Sequence, residues 1–312
     1  MEYRALGRSG LRVSVVGLGC NNFGGRIDMD ATRRVVHQAV DLGITLFDTA
    51  DVYGRGASET MLGEALGERR PHVVIATKFG GRMDDGDMMR GASRRYILMA
   101  AEASLRRLRT DWIDLYQIHF PDGGTPLEET LRALDDLVRQ GKVRYIGSSN
   151  FPAWLVAEAH WLARDLGTHA FISCQNEYSL LKRDPERELL AAMQRYGLGL
   201  LPYFPLASGL LTGKHRRGQV QEGSRLANNR GAAERLLTDE NWGRVEGLQA
   251  FAAAHGHTLL DLAVSWLACQ PTVASVIAGA TRPEQVEQNV AAAGWRLTPD
   301  EIEDVDRIVP RA

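Results

Sequence analysis

The chain has 312 residues, 44% hydrophobic and 24% charged, which is ordinary usage for a folded globular protein. Its formal net charge is −2, and its lysines and arginines are scattered rather than massed on one stretch. That balance argues against a nucleic-acid or anionic-membrane partner.

In chain order, residues 3–14 read as two short strands joined at Arg8-Ser9-Gly10, a hairpin expected to lie over the floor of whatever follows. Then short, continuously apolar runs alternate with longer helical patterns. The strands are expected at Val15–Leu18, Thr45–Asp48, Val73–Thr77, Leu115–His119, Val143–Ser148, Ile172–Glu177, Gly199–Tyr203 and Ser275–Ile277. Continuous apolar character is what strands buried on both faces require. The helices between them are expected at Asp30–Leu42, Glu59–Leu66, Ser93–Leu108, Leu127–Arg139, Ala153–Leu166, Pro185–Tyr196, Glu240–His255 and Pro283–Ala293. Ser93 is placed as an N-cap, Pro126 and Pro152 lie at helix starts, and Gly43, Gly141 and Gly167 follow helix ends. Eight β-α cycles predict an α/β fold, a closed parallel (β/α)8 TIM barrel, with residues 1–312 as a single domain. Outside the cycles fall a long Gly-, Arg- and Asn-containing loop at 207–239 and two extra helices, Thr258–Ala268 and Thr298–Ile308. The second of these opens on Thr298-Pro299-Asp300-Glu301, a capping start.

The three cysteines, Cys20, Cys174 and Cys269, are far apart and odd in number, with no C-x-x-C pair. They argue against disulfides and structural zinc and fit a reducing compartment. The first ten residues carry no apolar signal core, and the longest apolar stretches, such as Leu259–Cys269, are too short to span a bilayer. The expectation is a cytoplasmic protein with no membrane partner, monomeric by default.

Four polar residues fall at or just beyond strand ends. Asp48 ends the second strand, and Tyr53 lies five residues on. Lys78 ends the third strand after Val74-Ile75-Ala76-Thr77, and His119 ends the fourth. In a parallel barrel these positions adjoin at one rim, the rim where barrel enzymes work. Their chemistry is complementary. A phenol has a pKa of roughly 10, a neighbouring ammonium is expected to lower it, and a carboxylate holds that ammonium in place. A histidine nearby can position a carbonyl oxygen, so the set can move a proton onto or off a C–O group.

Other motifs are weaker. Gly17-Leu18-Gly19-Cys20-Asn21-Asn22 nearly fits G-x-G-x-x-G, but Asn22 replaces the third glycine and no helix follows at once, so a Rossmann site is not expected. No metal-ligand spacing occurs, and His255-Gly-His257 lies between two helices, so no metal is expected.

The segment Gly43-Ile-Thr-Leu-Phe-Asp48-Thr-Ala-Asp-Val-Tyr53-Gly resembles a signature of the aldo-keto reductase family. Further resemblances are Tyr3–Ser14, Ala76-Thr-Lys78, Gln117-Ile-His119, Ile146-Gly-Ser-Ser149-Asn150-Phe151, Cys174-Gln175-Asn176-Glu177-Tyr178, Tyr203–Lys214 and Ile277–Asn289. The matches are ordered along the chain from residue 3 to residue 289. The resemblance implies NADP(H)-dependent reduction of aldehydes and ketones, with Tyr53 as proton donor, Lys78 and Asp48 tuning it, and His119 holding the carbonyl.

It also implies a cofactor path. Gly19, Cys20, Asn21 and Asp48 would line its start, and Ser149, Asn150 and Gln175 would meet the nicotinamide carboxamide. Tyr203 would stack beneath the ring. Phe204, Pro205, Leu206, Ser208, Leu210, Lys214 and Arg225 would follow the pyrophosphate and adenine side. Ile277, Gly279, Thr281, Arg282, Gln285, Gln288 and Asn289 would form the adenosine end. Gly279 and Gln285 stand where a well-known branch of the family carries a lysine and an arginine, and Arg282 offers a replacement cation. NADP(H) is therefore preferred, with NAD(H) possible. Phe23, Phe120 and Phe151 are expected to wall the pocket of a small-molecule carbonyl substrate. The alternative reading is an NADPH-holding regulatory module of the same fold, similar to a potassium-channel β-subunit.

Overall fold

The structure is a computed structural model that describes residues 1–84, 86 and 88–311. It begins with a hairpin, β1 (Tyr3–Ala5) and β2 (Arg12–Ser14), paired antiparallel with Tyr3 opposite Ser14. The barrel strands follow as β3 (Val16–Gly19), β4 (Leu46–Asp48), β5 (Val74–Phe79), β6 (Ile113–Ile118), β7 (Val143–Ser149), β8 (Ser173–Gln175), β9 (Gly199–Leu200) and β10 (Val276–Gly279). Each of these eight pairs in parallel with its neighbour, in the order β10-β3-β4-β5-β6-β7-β8-β9. The two ends of that order meet through backbone bonds. Leu200 N–H donates to Thr272 O at 2.7 Å, Ala274 N–H to Leu200 O at 3.0 Å, and Ile277 N–H to Pro202 O at 3.2 Å. The predicted parallel α/β barrel is therefore the observed fold.

Helices pack outside: α1 (Met29–Asp41), α2 (Ala57–Leu66), α3 (Arg94–Leu108), α4 (Leu127–Arg139), α5 (Ala153–Leu166), α6 (Leu189–Tyr196), α7 (Arg230–Leu236), α8 (Asp239–Ala254), α9 (Leu259–Cys269), α10 (Pro283–Ala291) and α11 (Pro299–Ile308). Their apolar stripes explain the arrangement. In α4, Leu131, Leu134 and Leu137 recur every three residues and are buried, while the opposite face carries charge. Ser93 caps α3 by accepting from Tyr96 N–H, and α9 and α11 both open on full capping boxes, Thr258 with Asp261 and Thr298 with Glu301.

The hairpin closes one end of the barrel. Leu6 and Val13 are fully buried among Leu46, Val74, Ala76, Leu115 and Leu201, which point inward from three barrel strands and the segment after β9. The expected hairpin over the floor is thus in place, with Leu6 as its plug.

Several boundaries move. β5 runs one residue past Lys78, to Phe79, and His119 is one residue past β6. The expected helix Pro185–Tyr196 breaks into a 3-10 turn, Asp184–Glu186, and α6. The loop expected over 207–239 is not structureless. It holds a 3-10 segment, Ala207–Thr212, and the short α7, whose N-cap Asn229 accepts from Ala232 N–H. Gly231 near the start of α7 masks that helix in the sequence.

Candidate active site

Strand ends deliver the four polar residues to one place. Asp48 closes β4 and is register-paired with Ala76, so Lys78, two residues further along β5, rises over the same inward face. Its Nζ donates to Asp48 Oδ1 at 2.8 Å, to Asp48 Oδ2 at 2.7 Å and to Thr49 O at 2.7 Å. The ammonium also interacts with the Tyr53 hydroxyl, and Lys78 is 0% exposed. Burial opposes its charge, but Asp48 and Tyr53 outweigh that and hold its pKa above the ordinary lysine value.

Tyr53 opens a 3-10 turn, Tyr53–Gly56, in which Gly54 and Arg55 are left-handed. Lys78 Nζ lies 5.2 Å from the centre of its ring. The expected depression of the phenol is not found. Burial raises the Tyr53 pKa and outweighs the opposing pull of Lys78, so the net direction is upward. Tyr53 is therefore a protonated phenol at neutral pH.

His119 stands edge-on to Tyr53, with ring centres 5.8 Å apart at 81°. Burial and the Lys78 charge push its pKa down to about 3, so the imidazole is neutral. Phe120 stacks flat on it at 4.5 Å with its outer side in solvent.

A chain of hydrogen bonds spreads from this group. Gln175 Nε2 donates to Asp48 Oδ1 at 2.8 Å. Ser149 Oγ donates to Gln175 O, and Asn150 Nδ2 donates to both Ser149 Oγ and His119 O. Tyr203 Oη donates to Asn150 Oδ1 at 2.8 Å. Asn150 sits at φ 61°, and Phe204, Ala207 and Ser208 are left-handed as well. Non-glycine residues held this way cluster at functional sites.

These residues line one cavity of about 1020 Å³. Asp48, Tyr53, His119 and Phe120 lie at one part of it, with Ser149, Asn150, Gln175 and Tyr203. The lining then takes in Gly19, Cys20 and Asn21, and Phe204, Pro205, Leu206, Ser208, Lys214 and Arg225. Ile277, Gly279, Thr281, Arg282, Gln285, Gln288 and Asn289 also face it. Gln285 Oε1 accepts from Thr281 N–H at 2.8 Å and Thr281 Oγ1 at 3.0 Å, which shapes this turn.

Three expected residues are elsewhere. Phe23 and Phe151, expected as substrate walls, are 0% and 1% exposed and pack in the core, Phe151 edge-on to Phe171. Leu210, expected beside the cofactor, is likewise buried and faces inward. An apolar loop side chain tucks into the core when the loop lets it, since burial of such a side chain is worth roughly 1.5–3 kcal/mol.

Arg26 and Asn22 were not anticipated. Both line the cavity, and Arg26 reaches across to Gly223 O at 3.4 Å. Asn22 Nδ2 donates to Ala280 O, while its buried Oδ1 has no protein partner. A lone arginine after Gly24-Gly25 carries no spacing signal. Only the fold brings it near Lys214 and Arg225, whose pKa values it lowers further after burial has lowered them.

The aldo/keto reductase family pattern matches residues 15–310. The chain belongs to the aldo/keto reductase family. It is 39% identical to a probable voltage-gated potassium channel subunit beta of Oryza sativa subsp. japonica, over 99% of this chain and 97% of the rice protein. A putative subunit of the same name from Schizosaccharomyces pombe is 38% identical, over 99% of this chain and 93% of its own length. An uncharacterized oxidoreductase of Bacillus subtilis, YrpG, is 36% identical, over 99% of this chain and 96% of its own length. Membership of this aldo/keto reductase family and the bacterial relative both support an oxidoreductase. Among the described residues, no helix is long and apolar enough to cross a membrane.

Proposed function

We propose that this aldo/keto reductase reduces an aldehyde or ketone to an alcohol with NADP(H). The observation that carries the reading is the buried Lys78–Asp48 pair beside a protonated Tyr53 and a neutral His119. The cavity chemistry suits a polyanionic dinucleotide. Lys214 and Arg225 line it and have no carboxylate partner among the described residues, and Arg26 and Arg282 add charge. Such cations pair with phosphate oxygens. Arg26, Lys214 and Arg225 would hold the pyrophosphate, and Arg282, Thr281 and Gln285 the adenosine end. The Asn150–Ser149–Gln175 chain would hold the carboxamide, with Gln175 Nε2 already spent on Asp48. A reduced nicotinamide would supply the hydride.

The chain's own residues do the rest. As charge develops on the carbonyl oxygen, Tyr53 Oη gives up its proton to it. The nearby Lys78 ammonium stabilises the phenolate left behind. Asp48 fixes that ammonium and Gln175 fixes Asp48, so the charge is in place before reaction. The neutral His119 has an N–H available to hold the oxygen. Phe120 offers an exposed ring at this part of the cavity, which suits an apolar or aromatic substrate.

A second reading rests on the relatives named as channel β-subunits. It is a regulatory module that holds NADPH with little turnover. Mixing the protein with NADPH and a panel of aldehydes, and following the reduced-nicotinamide absorbance, separates the two. Steady oxidation supports the reductase. Tight NADPH binding with no turnover across the panel overturns it in favour of the module.

A further inference from the structure

Behind the Tyr53 turn lies a second group of titratable side chains that the proposed chemistry does not use. Asp51 is 1% exposed, two residues before Tyr53. Its backbone N–H donates to Lys78 O at 3.1 Å, so it sits directly on the strand that carries the lysine. Its Oδ2 is 3.2 Å from Tyr96 Oη on α3, and its Oδ1 has no protein partner. Glu59 on α2, 0% exposed, is the neighbouring carboxylate. It is held by Arg107 Nε at 2.7 Å and Thr77 Oγ1 at 2.5 Å. Tyr116 on β6 completes the group with a buried hydroxyl that has no protein partner.

The Tyr96 hydroxyl sets a counting problem. It has one hydrogen and two acceptors within reach, Asp51 Oδ2 at 3.2 Å and Gly81 O at 3.3 Å. If Asp51 is ionised, Tyr96 can satisfy only one of them. If Asp51 is a carboxylic acid, its own O–H donates to Tyr96 Oη, and Tyr96 donates to Gly81 O. Both bonds then form, and no second negative charge is buried beside Glu59. The cation of this cluster, Arg107, is already spent on Glu59.

The geometry points to Asp51 as a positioning residue, a neutral acid that ties the Tyr53 turn through Tyr96 to the Gly81 segment. The tie matters because these two segments touch beside the cavity. A Cβ on Gly81 would stand 2.2 Å from Val52 Cγ1, so the Gly81 backbone lies against Val52. Val52 and Tyr53 both line the cavity. Loss of the proton from Asp51 turns the Tyr96 hydrogen from Gly81 to Asp51 and loosens the seat of Tyr53. Burial, then Glu59, raise the Asp51 pKa to about 7, which places that loss within the working pH range. The reach from Asp51 to catalysis rests on Tyr53 being the proton donor. The protonation of Asp51 does not.

The test therefore has two readouts. The first is the infrared carboxylic-acid band of the ligand-free protein, compared near pH 6 and near pH 8.5 against Asp51→Asn. The wild type is expected to show the band at the lower pH and lose it at the higher, and the variant to lack it at both. Absence of the band near pH 6 overturns the proposal whether or not the protein reduces any carbonyl. The second is the pH profile of kcat. Asp51→Asn, which stays neutral and can donate to Tyr96, is expected to keep activity and lose the alkaline decline. Asp51→Leu is expected to lower kcat about ten- to a hundredfold with an unchanged Kd for NADPH. A wild-type alkaline decline in Asp51→Asn, or full kcat in Asp51→Leu, overturns the positioning role. Absence of turnover in the wild type sinks the reductase reading, and the infrared band still decides the state of Asp51.

Discussion

Lys78 Nζ spans both oxygens of Asp48, at 2.8 and 2.7 Å, with Lys78 fully buried and Asp48 nearly so. Such a pair is far costlier to break than to replace. Removing one partner strands a buried charge, at about 3–5 kcal/mol. Asp48→Asn is expected to lose about that much stability in urea unfolding. Adding Lys78→Met to it should restore part of the loss. If the two losses simply add, the pair is not coupled as its geometry requires.

Tyr53→Phe keeps the ring and removes only the acidic hydrogen. Reduction is expected to fall about 10²- to 10⁴-fold, the usual share of a positioned acid. NADPH affinity, read by fluorescence, should hold. Undiminished reduction in this variant would sink the proton-donor role.

The acid side of the stability curve should carry the mark of His119. Its folded pKa is depressed from 6.5 to about 3, so the folded state resists a proton that the unfolded chain accepts. The stability it preserves is full above about pH 6.5 and is lost as pH falls toward 3, to a limit of about 5 kcal/mol. His119→Gln is expected to flatten that limb of a ΔG-against-pH curve. An imidazole resonance of His119 that titrates between about pH 5 and 8 in NMR would contradict the neutral assignment.

Arg183 ties α11 to the barrel body. It bonds Glu186 at 2.8 Å, Val309 O at 2.6 Å and Asp306 at 2.7 Å, and its guanidinium lies 4.9 Å from the Trp266 ring centre. Arg183→Met keeps the stem but leaves Glu186 with the Tyr178 hydroxyl and Asp306 with the exposed Arg311. It is expected to cost about 1–3 kcal/mol. Hydrogen exchange should quicken in α11 first. Equal acceleration across the whole barrel would mean that α11 has no separate anchor.

What could be read from the residues was whatever repeats or marks an end. Asp48, Lys78 and His119 stand at or next to the close of apolar runs, and strand order alone sets them side by side. What could not be read depended on distant chain segments. Gln175 is 127 positions from the Asp48 it bonds. Arg26 meets Gly223 across 197. Phe23 and Phe151 looked like Phe120 in sequence, a single aromatic in a loop after a strand, yet only Phe120 faces solvent. The direction of a loop side chain is settled by what its backbone leaves open beneath it. The Tyr53 phenol was misjudged for a related reason: the effect of Lys78 was visible, but the burial opposing it was not.

The Leu6 plug has a consequence for how the barrel can come apart. Leu6 sits among residues of β4, β5 and β6 and the segment after β9, so strands far apart in the chain share one stopper. The hairpin cannot peel away without opening that shared apolar surface to water. Loosening of the first fourteen residues should therefore be felt at several strands at once.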